Sequence, residues 1–137
     1  MGHSIDIEIL RKRMATNWKA LAIPSVPLLY DNAKAGTALP GTFVRFSVRP
    51  SSEIQRSLGD KRIRVVCEGR VWLQVAVPVG TPDGDAWALA DKATSIFNRW
   101  TSDDGTIRCG KTESRIIPDD KYYVISLNVF YQSQRAR

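Results

Sequence analysis

Histidine is almost missing from this chain: His3 is the only one in 137 residues. A Ser–His or Cys–His nucleophile pair would have to be built on the extreme N-terminus, so that chemistry is not expected. Cysteine is scarce as well. Cys67 and Cys109 match neither a zinc spacing nor a disulfide framework, and they are expected as small hydrophobes on separate strands. No apolar run reaches the ~20 residues of a membrane-spanning helix. The N-terminus lacks the basic and apolar stretches of a secretory signal. Internal repeats and low-complexity segments are also lacking. The acidic pairs Asp103-Asp104 and Asp119-Asp120 sit beside Gly or Pro, where turn chemistry accounts for them. No carboxylate couple for acid–base work emerges. No enzymatic activity, cofactor or metal is expected.

What is present suits one globular domain over residues 1–137, with residues 1–4 and 133–137 expected to be loosely held. The chain is 43% hydrophobic and 25% charged, too apolar for a disordered segment. Its net charge is +6, which favours contact with nucleic acid or an acidic protein surface. The basic residues are spread, with short clusters at Arg11-Lys12-Arg13 and at Lys61-Arg62 with Arg64. Clusters so short are read first as a solvated face.

Ile7, Leu10, Met14, Trp18 and Leu21 recur at spacings of three and four, which predicts a helix over 5–21. Asp6 and Glu8 fall in its first turn, where they suit the helix dipole. A short strand is expected at 27–32, and a linker at 33–42. In 43–49, Phe46 and Val48 alternate with Arg45, Ser47 and Arg49, giving a strand with one apolar and one basic or polar face. Pro50 is expected to stop it, leaving a long polar loop over 51–61. Strands over 62–67 and 70–79 are expected to form a hairpin around Glu68-Gly69. The run Val71–Val77 is nearly all apolar, as in a central strand covered on both faces. Thr81-Pro82-Asp83-Gly84-Asp85 is a helix-start signal, with Thr81 as cap, for a helix to about Arg99. Trp87 falls off that helix's apolar stripe, as an exposed interface anchor or a loop-covered residue would. Strands at 106–109, 113–117 and 122–130 close the chain. The expected fold is α+β: a mixed or antiparallel sheet packed against two helices.

Gly105-Thr106-Ile107-Arg108-Cys109-Gly110-Lys111-Thr112 fits the pattern of a phosphate-binding loop, which works only between a buried strand and a helix. Here a polar turn precedes it, and Ile116-Ile117-Pro118 follows. A strand ending in a glycine turn is the better reading.

The segment order carries a resemblance. Trp18-Lys19-Ala20-Leu21, Val26–Asn32, Phe43–Val48, Ser57-Leu58-Gly59, the run Glu68–Thr81 leading into Ala86–Phe97, and Tyr122–Tyr131 together resemble tail-terminator-like proteins of long-tailed bacteriophages and prophages. The likeness spans about residues 14–132. It implies a structural virion protein that forms a homo-hexameric ring on the tail tube, stops tube polymerisation and offers a joining surface to head-completion or connector proteins. DNA would pass through the lumen without sequence-specific binding, and no membrane is involved. The location implied is the head-proximal end of the virion tail. The candidate subunit interface is the polar loop, at Gln55, Arg56, Leu58, Lys61 and Arg62, ordering on assembly. Another head–tail junction protein and a small basic nucleic-acid-binding module are the alternatives.

Overall fold

A computed structural model describes residues 2–21, 26–30, 41–58 and 62–136; for residues 2, 56–58, 62–63 and 136 the backbone alone is described. The elements run α1 (Gly2–Ala20), β1 (Leu28–Tyr30), β2 (Phe43–Leu58), β3 (Arg62–Pro78), α2 (Asp83–Ser95), β4 (Ile107–Ile117) and β5 (Tyr122–Ala136). One sheet holds the five described strands in the order β1-β2-β3-β5-β4. β1 pairs parallel to β2, and every other neighbouring pair is antiparallel. The fold is therefore α+β, with a mixed sheet and two helices.

Both helices pack on the same side of the sheet. Alternation sends Val44 and Phe46 of β2, Val71, Leu73, Val75 and Val77 of β3, and Ile125, Leu127 and Val129 of β5 into one core. Leu10, Met14 and Trp18 of α1 and Ala86, Leu89, Ala90 and Ala93 of α2 close it. The alanines let α2 lie close to the strands. Phe97 stacks on Phe46 (ring centroids 6.1 Å apart) and meets Trp100 edge-on (6.4 Å). Arg13 ties the two helices together: its Nε donates to the Ile96 carbonyl at 2.8 Å, and its guanidinium lies 4.5 Å from the Trp100 ring centre.

Several expectations need correction. Pro50 does not stop β2, and residues 51–58 are strand, not loop. Beyond Phe46, β2 is an edge among the described strands, and an edge strand accepts proline, particularly beside a bulge. A bulge between Pro50 and Ser52 is what the register shows. Glu68-Gly69 is no turn but the middle of the continuous strand β3. The hairpin instead joins β2 to β3, and Leu58 pairs with Arg62 at its end. Strand β4 likewise runs through Gly110, which falls in a bulge between Cys109 and Thr112. β3 is central, but its two faces differ: Trp72 and Gln74 are half-buried where Val71, Leu73 and Val75 are fully buried.

Regular structure reaches close to both chain ends. Residues 2–4 are helical and 133–136 extend β5; Met1 and Arg137 lie outside the described residues. Asp6 is not in the first turn, because α1 begins at Gly2. It is fully buried and accepts hydrogen bonds from the Ser133 hydroxyl and the Arg135 guanidinium. These charge-assisted bonds satisfy a carboxylate that would otherwise be costly to bury. They clamp the start of the chain to its last strand.

α2 starts with Asp83 and Asp85 in its first turn, which suits the dipole, but the expected Thr81 cap is absent: no side chain caps it. It ends at Ser95, and the turn after it closes at Arg99 in a left-handed conformation (φ 54°). Trp87 is half-buried, and its indole N–H donates to the Tyr123 hydroxyl at 3.3 Å. Asp104 accepts from Ser102 Oγ at 2.7 Å and the Thr106 amide at 3.0 Å. Asp119 accepts from the amides of Lys121 and Tyr122. One member of each acidic pair thus serves a turn. Lys111 lies in β4 and pairs with Glu113 at 2.8 Å; no helix follows the glycine-rich segment.

Candidate assembly surface

A line of irregularity crosses the sheet. Pro50 is opposite Gly69, Gly69 opposite Tyr131, and Tyr131 opposite Cys109. Both outer strands carry their bulge at this level, Ser51 in β2 and Gly110-Lys111 in β4. Bulges bend a strand and sharpen its twist. Gly69 is required here because the Tyr131 ring lies over it. A Cβ at position 69 would come within 2.6 Å of the Tyr131 hydroxyl and 2.8 Å of the Arg49 carbonyl oxygen. The ring covers a strand glycine that has no side chain of its own to pack. A hollow of about 520 Å³ opens along the line, bordered by Ser51, Glu68, Arg108, Phe130 and Gln132.

Past this line the sheet narrows into an arm. β4 begins at Ile107, opposite Ser133, and β5 ends at Ala136, opposite Arg64. Among the described residues, only the β2–β3 pair continues beyond Arg56 and Arg64. From Ser52 to Leu58 the arm extends roughly 20 Å at the usual rise per strand residue. Gln55 is exposed on it, and Ile54 beside it is 44% exposed. Gln55 is opposite Val65, Arg56 opposite Arg64, and Leu58 opposite Arg62. The structure therefore gathers Gln55, Arg56, Leu58 and Arg62 at the end of one arm; Lys61 lies outside the described residues. The expectation of a flexible loop at 51–58 is corrected to a paired strand.

Alternation also sets the face turned away from the helices. Arg45, Ser47 and Arg49 of β2, Arg70, Trp72 and Gln74 of β3, Arg115 of β4, and Ser126 and Asn128 of β5 share it, as their register pairs show. Among the described residues, no helix or strand packs on it. The Trp72 indole N–H donates to Ser126 Oγ at 2.7 Å, and the Arg49 guanidinium lies 4.4 Å from the Trp72 ring centre. Sequence reasoning found the alternation in β2 but not the convergence with β3, β4 and β5, which only the register supplies.

The cysteines and one group of potential metal ligands lie apart from this face. Cys67 and Cys109 are free, buried thiols. Burial pushes the Cys109 thiol up to about 12, so it stays protonated and unreactive. Burial first, then a hydrogen bond with Glu53, raises Cys67 too. His3, Asp6 and Cys67 bring potential ligand atoms within 4.8 Å of one another. However, Asp6 is already held by Ser133 and Arg135, and a guanidinium beside it opposes a second cation. Within the cluster, Asp6 makes the clamp between α1 and β5, while His3 Nδ1 is buried without a hydrogen-bond partner among the described residues. Among the described residues, no helix is long and apolar enough to cross a membrane.

No family model matches the chain, and no curated protein does. Solved structures do match it. One of them, whose name states no function, superposes with a TM-score of 0.63 at 20% identity, covering 93% of this chain and 95% of its own. At that identity the likeness extends to the fold alone.

Proposed function

We propose that this chain is a tail-terminator-like assembly protein of a long-tailed bacteriophage or prophage. It closes into a hexameric ring on the end of the tail tube, stops tube growth and presents its other side to the head-completion protein. It acts at the head-proximal end of the virion tail, by binding alone.

The observation that carries this reading is the β2–β3 arm. Its base is flanked by β5 and, at Ser133, by α1; past Arg56 and Arg64 the β2–β3 pair runs on alone among the described residues, with Gln55 and Arg56 just before that point and Leu58 and Arg62 beyond it. An arm that meets a different patch on the next copy is a heterologous contact, which closes into a ring when the rotation between copies closes and runs on as a filament when it does not. Both sheet edges argue for a contact through the arm instead of direct sheet continuation. Pro50 and a bulge interrupt one edge, and Lys111 and a bulge interrupt the other. These features suppress open-ended strand pairing. The resemblance of residues 14–132 to tail terminators adds the identity of the assembly.

The test is tube polymerisation. Wild-type protein added to growing tail tubes of its own phage is expected to halt elongation at low stoichiometry and to be seen at tube ends. Gln55→Glu combined with Leu58→Asp is expected to lose capping by at least tenfold while melting within a few degrees of wild type. Tubes that elongate equally with and without the wild-type protein would overturn the reading.

A further inference from the structure

We infer that the helix-free face of the sheet is a DNA-binding surface that holds the phosphate backbone without reading sequence. This goes beyond passage through a ring lumen: it assigns DNA a contact surface on each single subunit, and it holds whether or not rings form.

Arg45, Arg49, Arg64, Arg70, Arg108 and Arg115 fall on this face by alternation and register. Against them stand Glu68, which accepts from Gln132 at 3.3 Å, and Glu113, which pairs with Lys111. Among the described residues, no ion pair uses any of the six arginines. Arg49 and Arg70 are direct cross-strand partners, an arrangement in which like charges repel. An anion laid across the pair converts that repulsion into attraction.

The spacing suits a polyanion. Arg45, Gln74, Ser126 and Arg115 form one row across the sheet, and at ~4.8 Å per strand its ends are about 14 Å apart. The Arg49–Arg70 pair lies roughly 13 Å further along the strands. Both separations approach the ~12 Å width of the DNA major groove. Between them, a cavity of about 420 Å³ is bordered by Arg70, Trp72, Arg115, Ser126 and Asn128. Guanidinium groups grip phosphate through two parallel N–H donors. Their spread over the whole face suits a uniformly charged backbone better than a folded acidic partner, which concentrates its contacts on a few anchors.

The experiment is fluorescence anisotropy of a labelled 20-base-pair duplex against the full chain, over a range of salt concentrations and with two unrelated sequences. Wild-type protein should bind both sequences equally, with affinity falling linearly on a log–log salt plot. Arg70→Ala with Arg115→Ala should weaken binding about tenfold or more and reduce the salt slope by about two. Lys12→Ala with Lys19→Ala, on exposed positions of α1, should leave binding unchanged. Melting curves of both variants should match wild type. The inference is overturned by no binding at low salt, by a clear sequence preference, or by an equal loss in the α1 variant. Competition by polyglutamate as strong as that by unlabelled duplex would also overturn it, in favour of an acidic protein partner. A ring assay bears on none of these outcomes.

Discussion

The two faces of one sheet have opposite chemistry, although the same strands build both. On the helix side, Val44, Phe46, Val71, Leu73, Val75, Ile125, Leu127 and Val129 are at most 3% exposed. On the other side, one residue over, Arg49, Arg70 and Arg115 are exposed, and Trp72 and Asn128 are half-buried. A period of two lets a single strand serve stability with one set of side chains and recognition with the other. Core substitutions should therefore be costly to fold and silent in binding, and open-face substitutions the reverse.

The largest expected effect breaks the covered face. Phe97→Ala removes the ring between Phe46 and Trp100 and should cost about 3–5 kcal/mol, whereas Arg115→Ala should stay within about 0.5 kcal/mol. Denaturant unfolding of the two variants side by side measures the contrast, and equal losses would remove it. Asp6→Asn comes next. It leaves the buried clamp without its charge and should destabilise by about 3 kcal/mol, with hydrogen exchange rising first in β5 near Ser133. A loss confined to α1 would show that the clamp does not couple the two ends.

Gly69→Ala sharpens the role of the line across the sheet. Its new Cβ meets the Tyr131 ring and the Arg49 carbonyl oxygen, and a cost of about 1–3 kcal/mol is expected. Tyr131→Phe alone should be neutral or stabilising by about 1 kcal/mol, because the buried Tyr131 hydroxyl has no hydrogen-bond partner among the described residues. In the double variant it should recover only part of the loss, since the Arg49 carbonyl contact remains; full recovery would assign the whole conflict to the hydroxyl. The smallest effect is local. Hydrogen bonds from Ser102, and then from the Thr106 amide, hold the Asp104 carboxyl down at about 2. With a depressed folded-state value, its contribution to the turn is complete above the ordinary carboxylate range. It is lost as pH falls through about 2. The Thr106 amide resonance should titrate there, and a midpoint near ~4 would contradict the hydrogen bonding.

The helix side of the sheet was legible in the residues. The α2 stripe, the Phe46/Val48 alternation and the apolar run of β3 each bury the side chains their spacing selects. The arm was not legible, because its signals are ambiguous in one dimension. Pro50 and Gly69 break most strands, yet here an edge accepts the proline and an aromatic ring needs the glycine. Asp6 carried a signal that could have been read: with Leu10, Met14 and Trp18 it recurs every four residues, on the stripe that faces the core. The arginine face required register, since its members come from strands distant in sequence.

Absolute mass by light scattering over a range of concentrations, with the main peak imaged in negative stain, tests ring assembly through the arm most directly. A concentration-dependent hexamer seen as a ring with a central hole is expected, lost in Gln55→Glu/Leu58→Asp but retained in Arg70→Ala/Arg115→Ala. Rings that persist in the arm variant and vanish in the arginine variant would contradict it, because the contact between subunits would then belong to the open face.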